Sequence, residues 1–207
     1  MITQTAHITT LPGSFFEPSS CLSRDRDNDQ IWSALADLIE YPRADWKVLI
    51  GSAESLIQRQ QPELSTMFRE FRRDTKEVSL RTLQEAYLRS FDLNPECALE
   101  VGYHLFTNDA KRRMFLADLL EAELPFDLGE DYQPPDYLPI LLRLVPKLDN
   151  DDQRKEFIKI VMVPAVEKLV AALARTDGLY FGLLNVIRMF LMYAIGSFEG
   201  EIRYSEA

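Results

Sequence analysis

The stretch Leu179-Tyr180-Phe181-Gly182-Leu183-Leu184-Asn185-Val186-Ile187-Arg188-Met189-Phe190-Leu191-Met192-Tyr193-Ala194-Ile195-Gly196-Ser197-Phe198 decides between two folds. It is mostly apolar and about as long as the ~20 residues a bilayer requires. A helix apolar nearly all round is equally what the centre of a soluble bundle needs. Asn185 and Arg188 lie near its middle, where a lone arginine costs roughly 2.5–3.5 kcal/mol on insertion. The rest of the chain is amphipathic, so the stretch reads as a buried central helix and no membrane span is expected. Arg188 then needs a carboxylate partner or an exit to solvent, because an unpaired buried charge is costly.

Working outward, Gly178 is a suitable stop for the preceding helix. That helix opens at Asn150-Asp151-Asp152, where a cap and negative charge oppose the positive end of the dipole. It runs through Phe157, Val161, Val166 and Leu169 to Arg175. Pro164 lies inside it and is expected to kink it. Further upstream, helical periodicity begins near Asn28, a candidate N-cap, and stops at Pro42. Helices are also expected from Asp45 to about Arg59, after Pro62, after Ser79, from Asn108-Asp109 to before Pro125, and from Asp136 to about Leu148. Asn94-Pro95 signals a turn within 92–100, and residues 125–135 read as a loop.

Residues 1–28 carry no sustained period and read as a mobile N-terminal arm. Residues 29–199 form one helical domain and 200–207 a C-terminal tail. With 46% hydrophobic and 27% charged residues the balance is that of a globular domain, and 8 glycines argue against a strand-and-turn protein. The 23 basic and 33 acidic residues give a formal charge of −10. Such a surface repels phosphate backbones, so nucleic acid is not expected as a partner, and basic partners are favoured. Cys21 and Cys97 have no CxxC spacing, which points to a reducing compartment. No secretory signal opens the chain, and a cytoplasmic location is expected.

No constellation for catalysis or metal binding emerges. His7 and His104 cannot hold a metal by themselves, and His104 reads as a hydrogen-bonded structural residue among apolar neighbours. HExxH, GxSxG and glycine-rich phosphate loops are all absent from the sequence. No catalytic residue, metal site or cofactor is therefore expected.

Two segments about forty-five residues apart carry a different chemistry, each setting aromatic and apolar residues beside one carboxylate. One is Tyr87-Leu88-Arg89-Ser90-Phe91-Asp92; the other is Pro134-Pro135-Asp136-Tyr137-Leu138-Pro139-Ile140-Leu141-Leu142. On periodicity alone Tyr87 and Phe91 are an i, i+4 core pair, and Asp136 is a helix N-cap. The first segment resembles the Tyr-x-x-x-Phe-Asp element of the NarJ/TorD/DmsD family of redox enzyme maturation chaperones. The second is similar to that family's Pro-Asp-His/Tyr-Leu-Pro signature, and Val163-Pro164-Ala165-Val166-Glu167-Lys168-Leu169 resembles a weaker third element. Tyr137 stands where many members have histidine, and Arg143 where NarJ proteins often carry glutamate.

The resemblance implies an all-α, single-domain bundle of the TorD/NarJ type, monomeric or weakly dimeric, without catalysis or stable cofactor. It implies a chaperone that binds the N-terminal or twin-arginine signal segment of an apo molybdenum oxidoreductase catalytic subunit and assists insertion of the molybdenum cofactor. The peptide-binding residues it implies are Tyr87, Ser90, Phe91, Asp92, Pro134, Asp136, Tyr137, Leu138 and Pro139. A non-catalytic helical scaffold subunit retained in a mature oxidoreductase is the alternative.

Overall fold

Capping residues and prolines set the element boundaries of this chain. The computed structural model describes residues 26–128, 133–175 and 178–197. Helix α1 spans Arg26–Ile39, α2 Trp46–Gln60, α3 Ser65–Thr75 and α4 Leu80–Tyr87. The short α5 (Val101–Leu105) and α6 (Asp109–Glu123) follow. The chain then forms α7 (Leu138–Leu144), α8 (Asp151–Phe157), α9 (Val163–Leu173) and α10 (Phe181–Ala194). Among the described residues there is no strand, only an isolated antiparallel bridge between Glu100 and Tyr137. The fold is an all-α, single-domain bundle around one hydrophobic core. Most of the expected arm 1–28 and all of the tail 200–207 lie outside the described residues, as does Cys21.

The caps read from sequence form as side-chain bonds. Ser79 Oγ accepts from the Thr82 amide at 3.1 Å, and Asn108 Oδ1 accepts from Ala110 and Lys111 at 2.8 and 3.2 Å. Asn150 Oδ1 accepts from Asp152 and Gln153 at 3.0 and 3.2 Å. Each bond satisfies an amide that the first helical turn leaves unpaired.

Four expectations are corrected. Helix α1 is already helical at Arg26, so Asn28 lies inside it rather than capping it. Helix α7 begins at Leu138, and Asp136 does not cap it. The final helix stops at Ala194 because Gly196, at φ +67°, adopts the left-handed conformation that only glycine takes cheaply. The Gly196 amide donates to Tyr193 O at 3.0 Å and the Ser197 amide to Met192 O at 3.1 Å, the paired bonds of a Schellman stop. Finally, Pro164 coincides with a π-turn at Ile158–Met162 that joins α8 to α9, in which the Val163 amide reaches back to Ile158 O. Widening the ladder by one residue accommodates a residue that has no N–H and a bulky ring.

Helix α10 packs against α9, α3 and α1, with Leu183, Leu184, Val186, Ile187, Phe190 and Leu191 buried. Trp32 meets Phe190 edge-to-face at 4.6 Å, which locks α1 to it. At 14 residues α10 is about 21 Å long. Among the described residues no helix is long and apolar enough to cross a membrane. Arg188 is half-buried and has no ion-pair partner among the described residues.

Helix α1 also packs on α7, and one guanidinium ties them together. Arg143 Nη2 donates to Asp37 at 2.6 Å and Nη1 to Glu40 at 2.7 Å, with a further bond to Leu128 O at 3.3 Å. Arg143 is only 17% exposed and Glu40 14%, so water screens these pairs weakly. Replacing Arg143 with Met leaves two acids facing each other, and we expect a loss of about 2 kcal/mol, below the full cost of breaking a buried pair. Arg81→Met, which breaks the exposed pair with Glu85, should change stability by less than about 0.5 kcal/mol. Urea unfolding of the two variants checks the contrast.

Candidate functional site

Three short hydrogen bonds tie residues 99–102 to the second motif segment. The Val101 amide donates to Asp136 O at 2.8 Å and the Leu138 amide to Leu99 O at 2.9 Å, flanking the Glu100–Tyr137 bridge. The Gly102 amide donates to the Asp136 carboxylate at 3.0 Å. Asp136 is fully buried, and Arg112 Nη2 approaches the same oxygen at 3.4 Å. Asp136, one of the peptide-binding residues the resemblance implies, thus takes an amide and a guanidinium from the chain itself. A Cβ on residue 102 would lie 2.7 Å from that oxygen, so glycine is what permits the close approach.

On the other side, α4 passes into a π-turn at Leu88–Asp92. The widened turn buries Ser90 and Phe91 and leaves Asp92 exposed at the surface. Tyr87 and Phe91 sit ring to ring at 5.0 Å, and Tyr180 from the start of α10 packs edge-on against both. Tyr41 closes the cluster at 5.4 Å from Tyr87.

The Tyr87 and Tyr137 hydroxyls lie 2.7 Å apart, joining the first segment to the second. Around this pair opens a cavity of about 290 Å³ lined by Tyr87, Phe91, Asp92, Pro95, Ala98, Leu99, Glu100 and Tyr137. Burial pushes both phenols up, Tyr137 to about 12, so both stay protonated at neutral pH and can donate. Asp92 is also held above the usual carboxylate range, by partial burial and by the charge of Glu100. Neither acid has an ion-pair partner among the described residues, and two unpaired acids beside one hollow favour a cation.

Of the residues named from sequence, Tyr87, Phe91, Asp92 and Tyr137 line this cavity together. Ser90, Leu138 and Pro139 are buried, and Pro134 is half-buried with its carbonyl accepting from the Tyr137 amide at 3.0 Å. Asp136 lies beneath the surface as an anchor. Sequence reading missed Pro95, Ala98, Leu99 and Glu100. Asn94-Pro95 marked a turn there, and it forms with the Asn94 side chain accepting from Glu96 at 3.2 Å, but nothing local tells which segment 99–102 will pair with. His104 is hydrogen-bonded through Nε2 to Ala98 O at 2.6 Å, and burial lowers its pKa. Cys97 is buried and its thiol is pushed up by desolvation. Among the described residues no group of three or more His, Cys, Asp or Glu side chains could hold a metal ion.

No family model matches the chain. It is similar to the probable nitrate reductase molybdenum cofactor assembly chaperone NarJ of Bacillus subtilis (strain 168), 25% identical over 166 residues that cover 78% of this chain and 88% of the relative.

A second acid stands within electrostatic reach of Asp136. Burial and the Asp136 charge raise Glu123 from 4.5 to about 7, and Asp136 itself is raised, chiefly by burial. Glu123 thus binds its proton more tightly in the fold than in the unfolded chain. Its contribution to stability is greatest below about pH 4.5 and falls as the pH rises to about 7. Glu123→Gln cannot ionise, so its melting temperature relative to wild type should rise between pH 5 and pH 8. Thermal melts at the two pH values check the sign.

Proposed function

We propose that this chain is a cytoplasmic NarJ-type assembly chaperone, not an enzyme. It grips the N-terminal segment of an apo molybdenum oxidoreductase catalytic subunit, of which a twin-arginine signal is one form, while the molybdenum cofactor is inserted. The observation that carries this reading is the convergence of the two motif segments on one cavity. Its walls are aromatic and its edge holds two unpaired carboxylates. Such a hollow suits an arginine or lysine whose stem packs on the rings while its charge meets Asp92 and Glu100. At about 290 Å³ it lies at the small end of ligand pockets, roughly 300–1,000 Å³, which fits a side chain rather than a cofactor. The similarity to a NarJ assembly chaperone over most of both chains supports the same reading.

Within this reading the sequence motif divides into two jobs. Tyr87, Phe91, Asp92, Tyr137 and Glu100 contact the guest. Asp136, Leu138 and Pro139 hold the second segment in place, and Ser90 and Pro134 shape the turns that flank the cavity.

Isothermal titration with the N-terminal peptide of the partner catalytic subunit tests it. Asp92→Asn combined with Glu100→Gln removes both charges and should weaken binding at least tenfold without lowering the melting temperature. Affinity unchanged in that double variant would exclude the cavity as the peptide site.

A further inference from the structure

Behind the rings that wall the cavity lies a second, smaller hollow. It sits among α1, α2, α3 and α4, with Leu38, Ile50, Phe71 and Leu83 in its buried lining. Tyr41 and Arg43 are exposed at its mouth, and Gln84 Nε2 donates to the Pro42 carbonyl between them at 2.9 Å. At about 20 Å³ it takes one water-sized group, for which ~10–15 Å³ suffices.

Tyr180 belongs to both sides. Its ring packs edge-on against Tyr87 and Phe91 at 5.6 and 5.1 Å, and it also lines the smaller hollow. Tyr180 is 1% exposed, and its hydroxyl is buried without a hydrogen-bond partner among the described residues. A buried hydroxyl left unpaired lowers stability, so its presence in the fold needs a reason. Burial keeps the phenol protonated, and it can donate as well as accept.

The charged side chains at this hollow are already paired. Asp37 accepts from Arg143 at 2.6 Å, and Arg43 donates to Glu40 at 3.3 Å. No charge is left to attract an ion, in contrast to the cavity that Asp92 and Glu100 line. The occupant that fits is therefore neutral, small, and apolar apart from one hydrogen-bonding atom. Serine and threonine carry such side chains.

We propose that the smaller hollow takes a serine or threonine side chain of the guest peptide, its hydroxyl bonded to Tyr180. This rests on the reading of the cavity as the cation site of that same peptide. The partition between the two hollows is one ring thick, since Tyr41 and Tyr180 stand 5.4 and 5.6 Å from Tyr87. Side chains two apart in an extended segment share one face and lie about 7 Å apart, enough to straddle it. The hydroxyl residue accordingly stands two positions from the arginine or lysine. Tyr180 makes the site selective for a spaced pair of side chains, where the cavity alone selects a charge.

Isothermal titration tests this with two probes against wild type and Tyr180→Phe. One is the N-terminal peptide of the partner catalytic subunit. The other is the same peptide with the serine two positions from its basic residue changed to alanine, or the threonine to valine. Tyr180→Phe keeps the ring that packs on Tyr87 and Phe91, and its melting temperature should equal or exceed that of wild type. It should bind the native peptide about fivefold more weakly, the weight of one neutral hydrogen bond. The altered peptide should lose the same factor on wild type and nothing further on Tyr180→Phe. Equal affinity of wild type and Tyr180→Phe for the native peptide overturns the proposal and leaves the hydroxyl to a buried water. In that case the cavity stands if Asp92→Asn/Glu100→Gln still weakens binding tenfold, and falls if it does not. Losses that multiply, instead of merging, in Tyr180→Phe with the altered peptide also overturn the proposal. So does a native peptide with no serine or threonine two positions from an arginine or lysine.

Discussion

The Asp136 carboxylate, buried without exposure to water and bonded to the Gly102 amide, is the constraint on which the site depends. A buried carboxylate is expensive unless it is paired and hydrogen-bonded. Here the pairing comes from residues distant in sequence: an amide from α5 and a guanidinium from α6. Bonding its Oδ2 (Oδ1 is buried with no hydrogen-bond partner among the described residues) requires α5, α6 and the approach to α7 to meet at a point. Once they do, the backbone of 99–101 lies beside that of 136–138, and Tyr137 is delivered to the hydroxyl of Tyr87.

In the proposed reading, the arrangement separates rigidity from recognition. Leu138, Pro139, Ile140, Leu141 and Leu142 sink into the core, and Arg143 clamps the far end of the same helix to α1. Asp92 and Glu100, by contrast, line the cavity without an ion-pair partner among the described residues. In the proposed reading, two acids beside the buried Tyr87 and Phe91 rings and the half-buried Tyr137 make a hollow that attracts a cation. The π-turn at Leu88–Asp92 belongs to the same logic, since a widened turn turns Phe91 inward and Asp92 outward at adjacent positions.

Much of the architecture was legible in the sequence because it is written locally. Ser79, Asn108 and Asn150 cap the helices they were expected to cap, and the apolar run beginning at Leu179 does hold a central helix, Phe181–Ala194. The boundary misses have local causes too: Gly196 was a stop signal overlooked within an apolar run, and Pro164 was absorbed by a π-turn instead of a simple kink. The site was legible only in part. Tyr87, Phe91, Asp92 and Tyr137 were found through their motifs, whereas Glu100 was missed because its place follows from a pairing between segments that no periodicity encodes. Asp136 shows the limit most clearly. A carboxylate before a helix reads as a cap or a surface ligand, and only the tertiary fold shows that it anchors a different helix.

Amide hydrogen exchange at Val101, Gly102 and Leu138 addresses this account most directly, because those three N–H groups make the bonds that join residues 99–102 to 136–138 and so hold Glu100 beside Tyr137. All three should exchange together, with protection close to that of buried α9 amides such as Leu169. Exchange at the rate of the exposed Leu93–Asn94 turn would mean that the segments are not held together, and the cavity would have no fixed floor.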